Sequence, residues 1–229
     1  MSKRHDNHLW FQLLVDRENH EFHQPNGNNL LIRYWPNLGL APGSKILVPL
    51  CGKRLDMLWL AEQGFEVIGV ELNQNAVQTF FKENRLPATK TQVGLFHCWQ
   101  YKNIRIFCGD IFSLNPEDIG EIHAIYDPVA LTALSREIRL QYVSHMQTLA
   151  GTNADIFLLS IEEKYDSYPI PLMQRPQVDE ELLELYQQAF AITQVRTDQL
   201  FEAQTSKTQA SPGLLEYKIY HLSKLALDE

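Results

Sequence analysis

Short and almost wholly apolar runs alternate with longer amphipathic stretches along most of the chain. Runs of this kind are typical of strands buried on both faces of a parallel sheet. Their alternation with helical stretches predicts a right-handed βαβ series and one α/β domain. The five clearest runs are SKILVPL (44–50), FEVIGVEL (65–72), IRIFCGDIF (104–112), HAIYDP (123–128) and ADIFLLSIEEK (154–164).

The stretches between these runs repeat their apolar residues at helical spacing. In 73–85, Asn73 is a suitable N-cap, and Val77, Phe80 and Phe81 fall on one face. Further helices are predicted on the same grounds at 29–35, 55–63, 135–150 and 179–190.

The two ends of the chain depart from the alternation. Two strand-like runs, ITQVRT (192–197) and LLEYKIYHL (214–222), follow each other in a way that suits an antiparallel edge. Residues 1–44 are rich in histidine and end in the turn Pro42-Gly43. We therefore expect a helical N-terminal cap at 1–44 on a core at 45–229, within a single domain over 1–229.

Charge and composition narrow the range of partners. The chain has 229 residues, 20 Lys and Arg against 28 Asp and Glu, and a formal net charge of −8. Nucleic-acid binders gain most of their affinity from basic side chains on phosphates, so a small molecule is the better expectation. No apolar run approaches the ~18 residues of a membrane span, and three cysteines without a CxxC pattern argue against a disulfide framework. We expect a soluble, cytoplasmic protein without a nucleic-acid or membrane partner.

Candidate binding residues follow directly after the predicted strands. In an open parallel sheet, ligands bind beyond the carboxyl ends of the strands. That rule selects the loop 49–53 with its Gly52, then Glu71, the pair Gly109-Asp110, and Asp127.

Glu71 is the most informative of these residues. It follows Gly52 by 19 residues at the end of the second strand, and a carboxylate there matches the two hydroxyls of a ribose. The alternative is a solvated glutamate at a strand end. The loop 49–53 has one glycine where a dinucleotide fingerprint needs three, and it is not a Walker A motif. A nucleoside ligand without phosphates, such as S-adenosylmethionine, fits these features best.

The two aspartates leave alternatives open. Asp110 either accepts from an adenine amino group, with Ile111 lining the ring, or is a turn residue after Gly109. Asp127 precedes Pro128, which ends the strand without assigning a role to the carboxylate.

The sequence favours neither metal nor hydrolytic chemistry. The HxxH pairs His5/His8 and His20/His23 lack a Cys or carboxylate cluster beside them, so we predict no metal site. No nucleophile elbow (GxSxG) occurs, and the cysteines are expected to pack in strands. The sequence does not identify a catalytic residue.

The segment ILVPLCGKRLDMLWLAEQGFEVIGVEL (46–72) resembles the core signature of the thiopurine S-methyltransferase family, especially its bacterial branch. The blocks at 22–43, 107–112 and 125–134 follow in the order of that family, and the resemblance covers most of 10–220. It implies a Rossmann-like class I methyltransferase that depends on S-adenosylmethionine. The sheet would have seven mostly parallel strands, with the last antiparallel and helices on both faces.

The resemblance also implies methyl transfer to the sulfur of aromatic and heterocyclic thiols. By position, Leu50 would pack on the cofactor, Glu71 would hold the ribose hydroxyls, and Asp110 and Ile111 would flank the adenine. Pattern and resemblance together assign cofactor binding to Phe11, Leu50, Gly52, Glu71, Asp110, Ile111 and Asp127, and substrate binding to Phe22 and His23.

Two positions depart from the family pattern. A second tryptophan of the N-terminal cap aligns with Val15, and the arginine expected after Asp127 is Pro128. Loss of that guanidinium should weaken binding of an anionic substrate by ~1–3 kcal/mol.

The predicted reaction is a single in-line methyl displacement that needs neither metal nor general base, carried out by a monomer. One alternative is a methyltransferase for another small acceptor, such as a selenium or tellurium species, a halide or a different thiol. A second is a cofactor-binding protein with reduced turnover. A nicotinamide dehydrogenase is disfavoured by the single glycine.

Overall fold

The structure is a computed structural model that describes residues 28–128, 134, 136–164, 184–201 and 214–225. The chain divides into two compact units, with the boundary between Gly120 and Glu121. The single domain over 1–229 therefore stays a prediction. Among the described residues, no helix is long and apolar enough to cross a membrane.

The described elements follow the alternating order that the sequence predicts. The helices are α1 (Asn29–Tyr34), α2 (Asp56–Glu62), α3 (Gln74–Glu83), α4 (Pro116–Ile119) and α5 (Arg136–Ala150), with 3-10 turns at Trp35–Leu38 and Ile111–Ser113. The strands are β1 (Lys45–Val48), β2 (Glu66–Glu71), β3 (Thr89–Val93), β4 (Phe96–Tyr101), β5 (Ile104–Cys108), β6 (Ala124–Asp127), β7 (Asp155–Lys164), β8 (Phe190–Phe201) and β9 (Leu214–Lys224).

In the first unit, the strands lie in the order β3-β4-β5-β2-β1. Strands β1, β2 and β5 are parallel, and β3 and β4 form an antiparallel hairpin against β5. The register pairs Glu71 with Cys108, so the carboxyl ends of β2 and β5 meet at the same edge. Helix α3 begins at its Asn73 cap and buries Val77, Phe80 and Phe81, as predicted.

In the second unit, β6 and β7 are parallel, and β9 pairs antiparallel with both β7 and β8. The predicted antiparallel end of the chain is therefore confirmed. Helix α5 contributes Tyr142 and Met146 to the core, both on the face that the sequence indicates.

All seven strand-like runs form strands, and the hairpin of β3 and β4 is an addition that the sequence analysis missed. Strand β3 (TKTQV) is polar and largely exposed, so it carries no apolar run. Strand β4 alternates buried Phe96 and Cys98 with exposed His97, which is the pattern of a half-buried strand.

The predicted helix at 179–190 is helical at 184–186 but wrong at its end, because 187–189 form a turn. Phe190 opens β8, which extends the predicted strand 192–197 at both ends. Residues 179–183 lie outside the described part of the chain.

Candidate functional site

The loop after β1 is held against β2 in a strained conformation. The Cys51 amide donates to the Val70 carbonyl over 3.0 Å, which continues the parallel pairing past the end of β1. Leu50 and Gly52 have φ angles of 45° and 53°. A left-handed conformation costs a residue with a side chain about 1–2 kcal/mol, so Leu50 is kept there by its surroundings.

Glu71 joins this loop to the end of β2. Its Oε2 accepts from the Gly52 amide (2.9 Å), and its Oε1 accepts from the Asn73 amide (2.7 Å). An ionised carboxylate has about four acceptor sites, so one amide on each oxygen is compatible with two further hydroxyl donors. Glu71 is only half-buried, which leaves it within reach of a ligand.

Gly69 allows the loop to approach β2 closely. A Cβ at this position would lie 2.8 Å from Cys51 Sγ and 3.1 Å from Met57 Sδ. Any side chain there would push the loop and helix α2 away from the strand.

Asp110 and Ile111 reach the same edge through β5. The Gly109 amide donates to the Glu71 carbonyl over 2.9 Å. Asp110 Oδ1 accepts from the Phe112 amide (3.0 Å) and caps the 3-10 turn, so the structure shows its turn role. Its role at an adenine stays a prediction. Ile111 is 5% exposed, and Asp110 is exposed.

The first unit therefore brings together five of the residues selected from the sequence. Glu71 is bonded to the Gly52 amide, and its carbonyl binds the Gly109 amide directly before Asp110. Together the five offer a carboxylate, an exposed acceptor and two apolar side chains, without the amide-rich cradle that phosphates require. The residues are Leu50, Gly52, Glu71, Asp110 and Ile111.

The cysteines of this edge do not have the character of nucleophiles. Burial raises the pKa of the Cys108 thiol, and the negative charge of Glu71 raises it further. Cys51 is fully buried beneath the loop. A protonated or buried thiol is a poor nucleophile, so both have the packing role that we expected.

In the second unit, Asp127 ends β6 as a buried carboxylate. It is 1% exposed, and its Oδ2 accepts from the Tyr142 hydroxyl over 2.7 Å. Burial and, next, the charge of Asp127 raise the pKa of Tyr142 and of Tyr186 well above the usual range. Both phenols therefore stay protonated at neutral pH. The sequence analysis singled out Asp127 but missed Tyr142 as its partner.

Asp56 is another residue that the sequence analysis missed. It is buried in the first turn of α2, and it accepts from the Asn28 amide over 2.6 Å. This bond ties the segment before α1 to the helix that follows the loop 49–53. An aspartate in the first turn of a helix is a common signal, but it does not identify a distant partner.

The predicted residues of the N-terminal cap cannot be placed. Phe11, Phe22 and His23 lie outside the described residues, as do Val15 and the HxxH histidines. Within the part of the chain that is described, no group of three or more His, Cys, Asp or Glu side chains is arranged to hold a metal ion.

Solved structures with a similar fold are methyltransferases. A TehB-like SAM-dependent methyltransferase from Corynebacterium glutamicum has a TM-score of 0.53 and 15% identity, and the match covers 96% of this chain and 97% of that one. A SAM-dependent methyltransferase from Aquifex aeolicus has a TM-score of 0.53 and 13% identity, with coverage of 90% and 96%. At these identities the likeness establishes the fold, which is the Rossmann-like fold that we predicted.

Sequence comparisons define the family within this class. The family model of thiopurine S-methyltransferase matches residues 5–225. A thiopurine S-methyltransferase from Stutzerimonas stutzeri (strain A1501) is 43% identical over 219 residues, which are 96% of this chain and 91% of the relative. One from Pseudomonas putida (strain F1) is 37% identical over 222 residues, with coverage of 94% and 98%.

The chain belongs to the thiopurine S-methyltransferase family. It is an S-adenosylmethionine-dependent S-methyltransferase, and the predicted family, enzyme class and cofactor are confirmed. The residues at the edge of β2 and β5 fit this cofactor, because they match a nucleoside that carries no phosphates.

Proposed function

We propose that this protein methylates the sulfur of a small aromatic or heterocyclic thiol, as a monomer in the cytoplasm. The observation that carries the proposal is the position of Glu71, which ends β2 and holds the Gly52 amide through one carboxylate oxygen. The relatives in Stutzerimonas and Pseudomonas, which bear the name thiopurine S-methyltransferase, support a thiol as the acceptor.

In the proposed site, each residue has one task. Glu71 accepts hydrogen bonds from the ribose hydroxyls. Gly52 keeps the loop 49–53 close to β2, which leaves room for the cofactor. Leu50 packs on the cofactor, and Asp110 and Ile111 flank the adenine. We also assign Asp127 to the cofactor, as the sequence pattern predicts. We assign Phe11 to the cofactor, and Phe22 and His23 to the acceptor.

The cofactor supplies an activated methyl group on a sulfonium. The chain has to align the acceptor with that group and exclude water, which are the contributions that positioning and desolvation make to catalysis. An acidic thiol is already ionised near pH 7, so no side chain is needed to remove its proton.

The proposal is tested by binding and by product analysis. Isothermal titration should show micromolar affinity for S-adenosylmethionine and S-adenosylhomocysteine. Mass spectrometry should then show methylated product from thiopurines and thiophenols. The same assay with selenium and tellurium species and with iodide separates the alternative acceptors.

Three outcomes would contradict the proposal. Methylation of a selenium, tellurium or halide acceptor without thiol methylation would show that the acceptor is not a thiol. Tight binding without transfer to any acceptor would make the protein a cofactor-binding protein with reduced turnover. Absence of binding would remove the assigned site.

A further inference from the structure

The first unit contains a buried carboxylate at the start of α2, shortly after the loop 49–53. Asp56 is 4% exposed, and its Oδ1 accepts from the Asn28 amide over 2.6 Å. It also takes part in a further interaction. An amide donates a stronger hydrogen bond to a carboxylate than to a neutral acceptor. This bond therefore holds the start of α2 to the residue that precedes α1.

The donor side of this bond is fixed as well. Asn28 caps α1, because its side chain accepts from the amide two residues further on over 2.9 Å. Trp35, which follows α1, is buried and packs edge-on against the Phe65 ring, with 6.1 Å between the ring centroids. Phe65 lies just beyond the end of α2. The segment 28–35 is therefore attached near both ends of α2, at Asp56 and at Phe65.

The start of α2 is in turn connected to the loop that Glu71 holds. The Arg54 amide donates to the Cys51 carbonyl over 3.2 Å, which closes a turn between the loop and the helix. The Gly52 amide lies inside this turn and donates to Glu71. Only one residue separates Arg54 from Asp56. A displacement of the start of α2 would therefore move the amide that binds Glu71.

We propose that Asp56 is a positioning residue for the cofactor. By holding α2 to the Asn28 amide, it keeps the loop 49–53 in the conformation that meets the ligand. The inference rests on the proposed function, which assigns residues of this loop to S-adenosylmethionine. Asp56 is itself buried, so it acts through the loop and not by contact with the cofactor.

Asn28→Pro removes the donor of this bond with little change in the backbone conformation. Asn28 has a φ of −71°, close to the value of about −65° that proline imposes. Asn28→Ala is the matched reference, because it loses the same capping side chain but keeps the amide. In isothermal titration with S-adenosylhomocysteine, the Kd of Asn28→Pro should be roughly fivefold above that of Asn28→Ala. Equal Kd values in the two variants would overturn the proposal.

The same pair of variants in an Asp56→Ala background shows whether the effect passes through Asp56. Without the carboxylate, the amide has no bond to this side chain to lose, so the two Kd values should agree within about twofold. A fivefold difference that persists in this background would overturn the role of Asp56. In turnover assays with Asp56 present, Asn28→Pro should raise KM for S-adenosylmethionine relative to Asn28→Ala, with little change in kcat.

Asn103→Ala is the control for a general weakening of α2. The Asn103 side chain donates to the Ala61 and Phe65 carbonyls over 2.9 and 2.6 Å, at the end of α2 remote from the loop. Its removal should lower the free energy of unfolding, whereas the Kd should stay within about twofold of the parent value. An equal rise in the Kd of Asn103→Ala would show that any weakening of α2 has this effect, and it would overturn the positioning role.

A second pair of variants decides if Asn28→Pro does not fold. Asparagine keeps a side-chain oxygen that accepts from an amide, so Asp56→Asn should bind more tightly than Asp56→Ala. Equal affinities of these two variants would overturn the proposal. If the parent binds and Glu71→Ala binds weakly while Asn28→Pro matches Asn28→Ala, only the positioning role fails. Absence of binding by the parent would contradict the proposed function itself.

Discussion

Two carboxylates end parallel strands in the two units of this protein, and they are supported in opposite ways. Glu71 is half-buried and takes one backbone amide on each oxygen. Asp127 is buried and takes a phenol from the side chain of Tyr142. The bonds to Glu71 come from the main chain, and the bond to Asp127 comes from a side chain.

This difference determines which substitutions each carboxylate tolerates. The amides that bind Glu71 remain with any residue except proline at positions 52 and 73, provided that the backbone keeps its conformation. The bond from Tyr142 to Asp127 is lost when one hydroxyl is removed. A buried charge that loses its donor is more costly than an exposed one, so Asp127 is the more vulnerable of the two to changes in its neighbours.

Removal of the Glu71 carboxylate itself should have the largest effect. Glu71→Ala eliminates the proposed ribose contact and also releases the Gly52 and Asn73 amides. We expect the Kd for S-adenosylmethionine to rise about a hundredfold, or about 2.7 kcal/mol, in isothermal titration.

Glu66→Ala provides the control, because Glu66 is an exposed glutamate at the opposite end of the same strand. Its affinity should match that of the parent. If Glu71→Ala binds S-adenosylmethionine with the parental Kd, Glu71 does not bind the ribose. Its comparison with Asp127 would then concern structure and not function.

The next largest effect should be a difference between the two buried tyrosines, Tyr142 and Tyr186, in what their hydroxyls contribute to stability. Tyr142→Phe leaves Asp127 without its phenol donor, so the free energy of unfolding should fall by about 1.5–3 kcal/mol. Tyr186→Phe removes a buried hydroxyl that has no hydrogen-bond partner among the described residues, so stability should stay equal or rise by up to about 1 kcal/mol. Urea denaturation measures both changes in the free energy of unfolding, provided that the variants have the same m value as the parent. Equal losses would mean that the hydrogen bond contributes nothing specific.

The sequence was sufficient to locate both carboxylates but not the hydrogen bonds that hold them. Each follows an apolar run, and the rule for parallel sheets selects such positions without any coordinates. The contact of Glu71 with Gly52 follows from the pairing of neighbouring strands. The contact of Asp127 with Tyr142 depends on how α5 lies against β6. Helical periodicity placed Tyr142 on the buried face but could not give that angle.

The missed hairpin has a similar physical reason. Apolar runs reveal strands that are covered on both faces, and all seven runs of this protein are strands. Strand β3 is polar and largely exposed, so its backbone pairing with β4 leaves no trace in hydrophobicity. Composition at an exposed edge is governed by solvent contact, which also suits a loop.

Gly69→Ala should displace the loop 49–53, whose Gly52 amide binds Glu71. The new Cβ would lie 2.8 Å from Cys51 Sγ, so the loop must shift away from β2. We expect a loss of stability of about 1–3 kcal/mol in urea denaturation, together with weaker cofactor binding. The double variant Gly69→Ala/Cys51→Ala removes the clashing sulfur and should recover part of both. Failure of this recovery would mean that Cys51 is not the limiting contact.

The smallest expected effect on stability concerns the strained residue of the same loop. Leu50→Gly relieves a φ of 45°, but it also adds backbone entropy to the unfolded chain and removes a half-buried side chain. These terms oppose each other, so the free energy of unfolding should change by less than about 1 kcal/mol. The Kd for S-adenosylmethionine should nevertheless rise roughly fivefold, because the proposed apolar contact is lost.

Lys102→Gly is the matched control for this substitution. Lys102 has a φ of 50° in the exposed turn between β4 and β5, away from the proposed contacts. The relief of strain is opposed there by the added backbone entropy and by loss of the exposed contact of Lys102 Nζ with the Tyr101 ring (5.3 Å), so stability should change by less than about 1 kcal/mol with no change in cofactor affinity. If Leu50→Gly behaves like Lys102→Gly in both measurements, then the strain at Leu50 serves the turn alone. In that case the loop that Glu71 holds would not present its side chain to the cofactor.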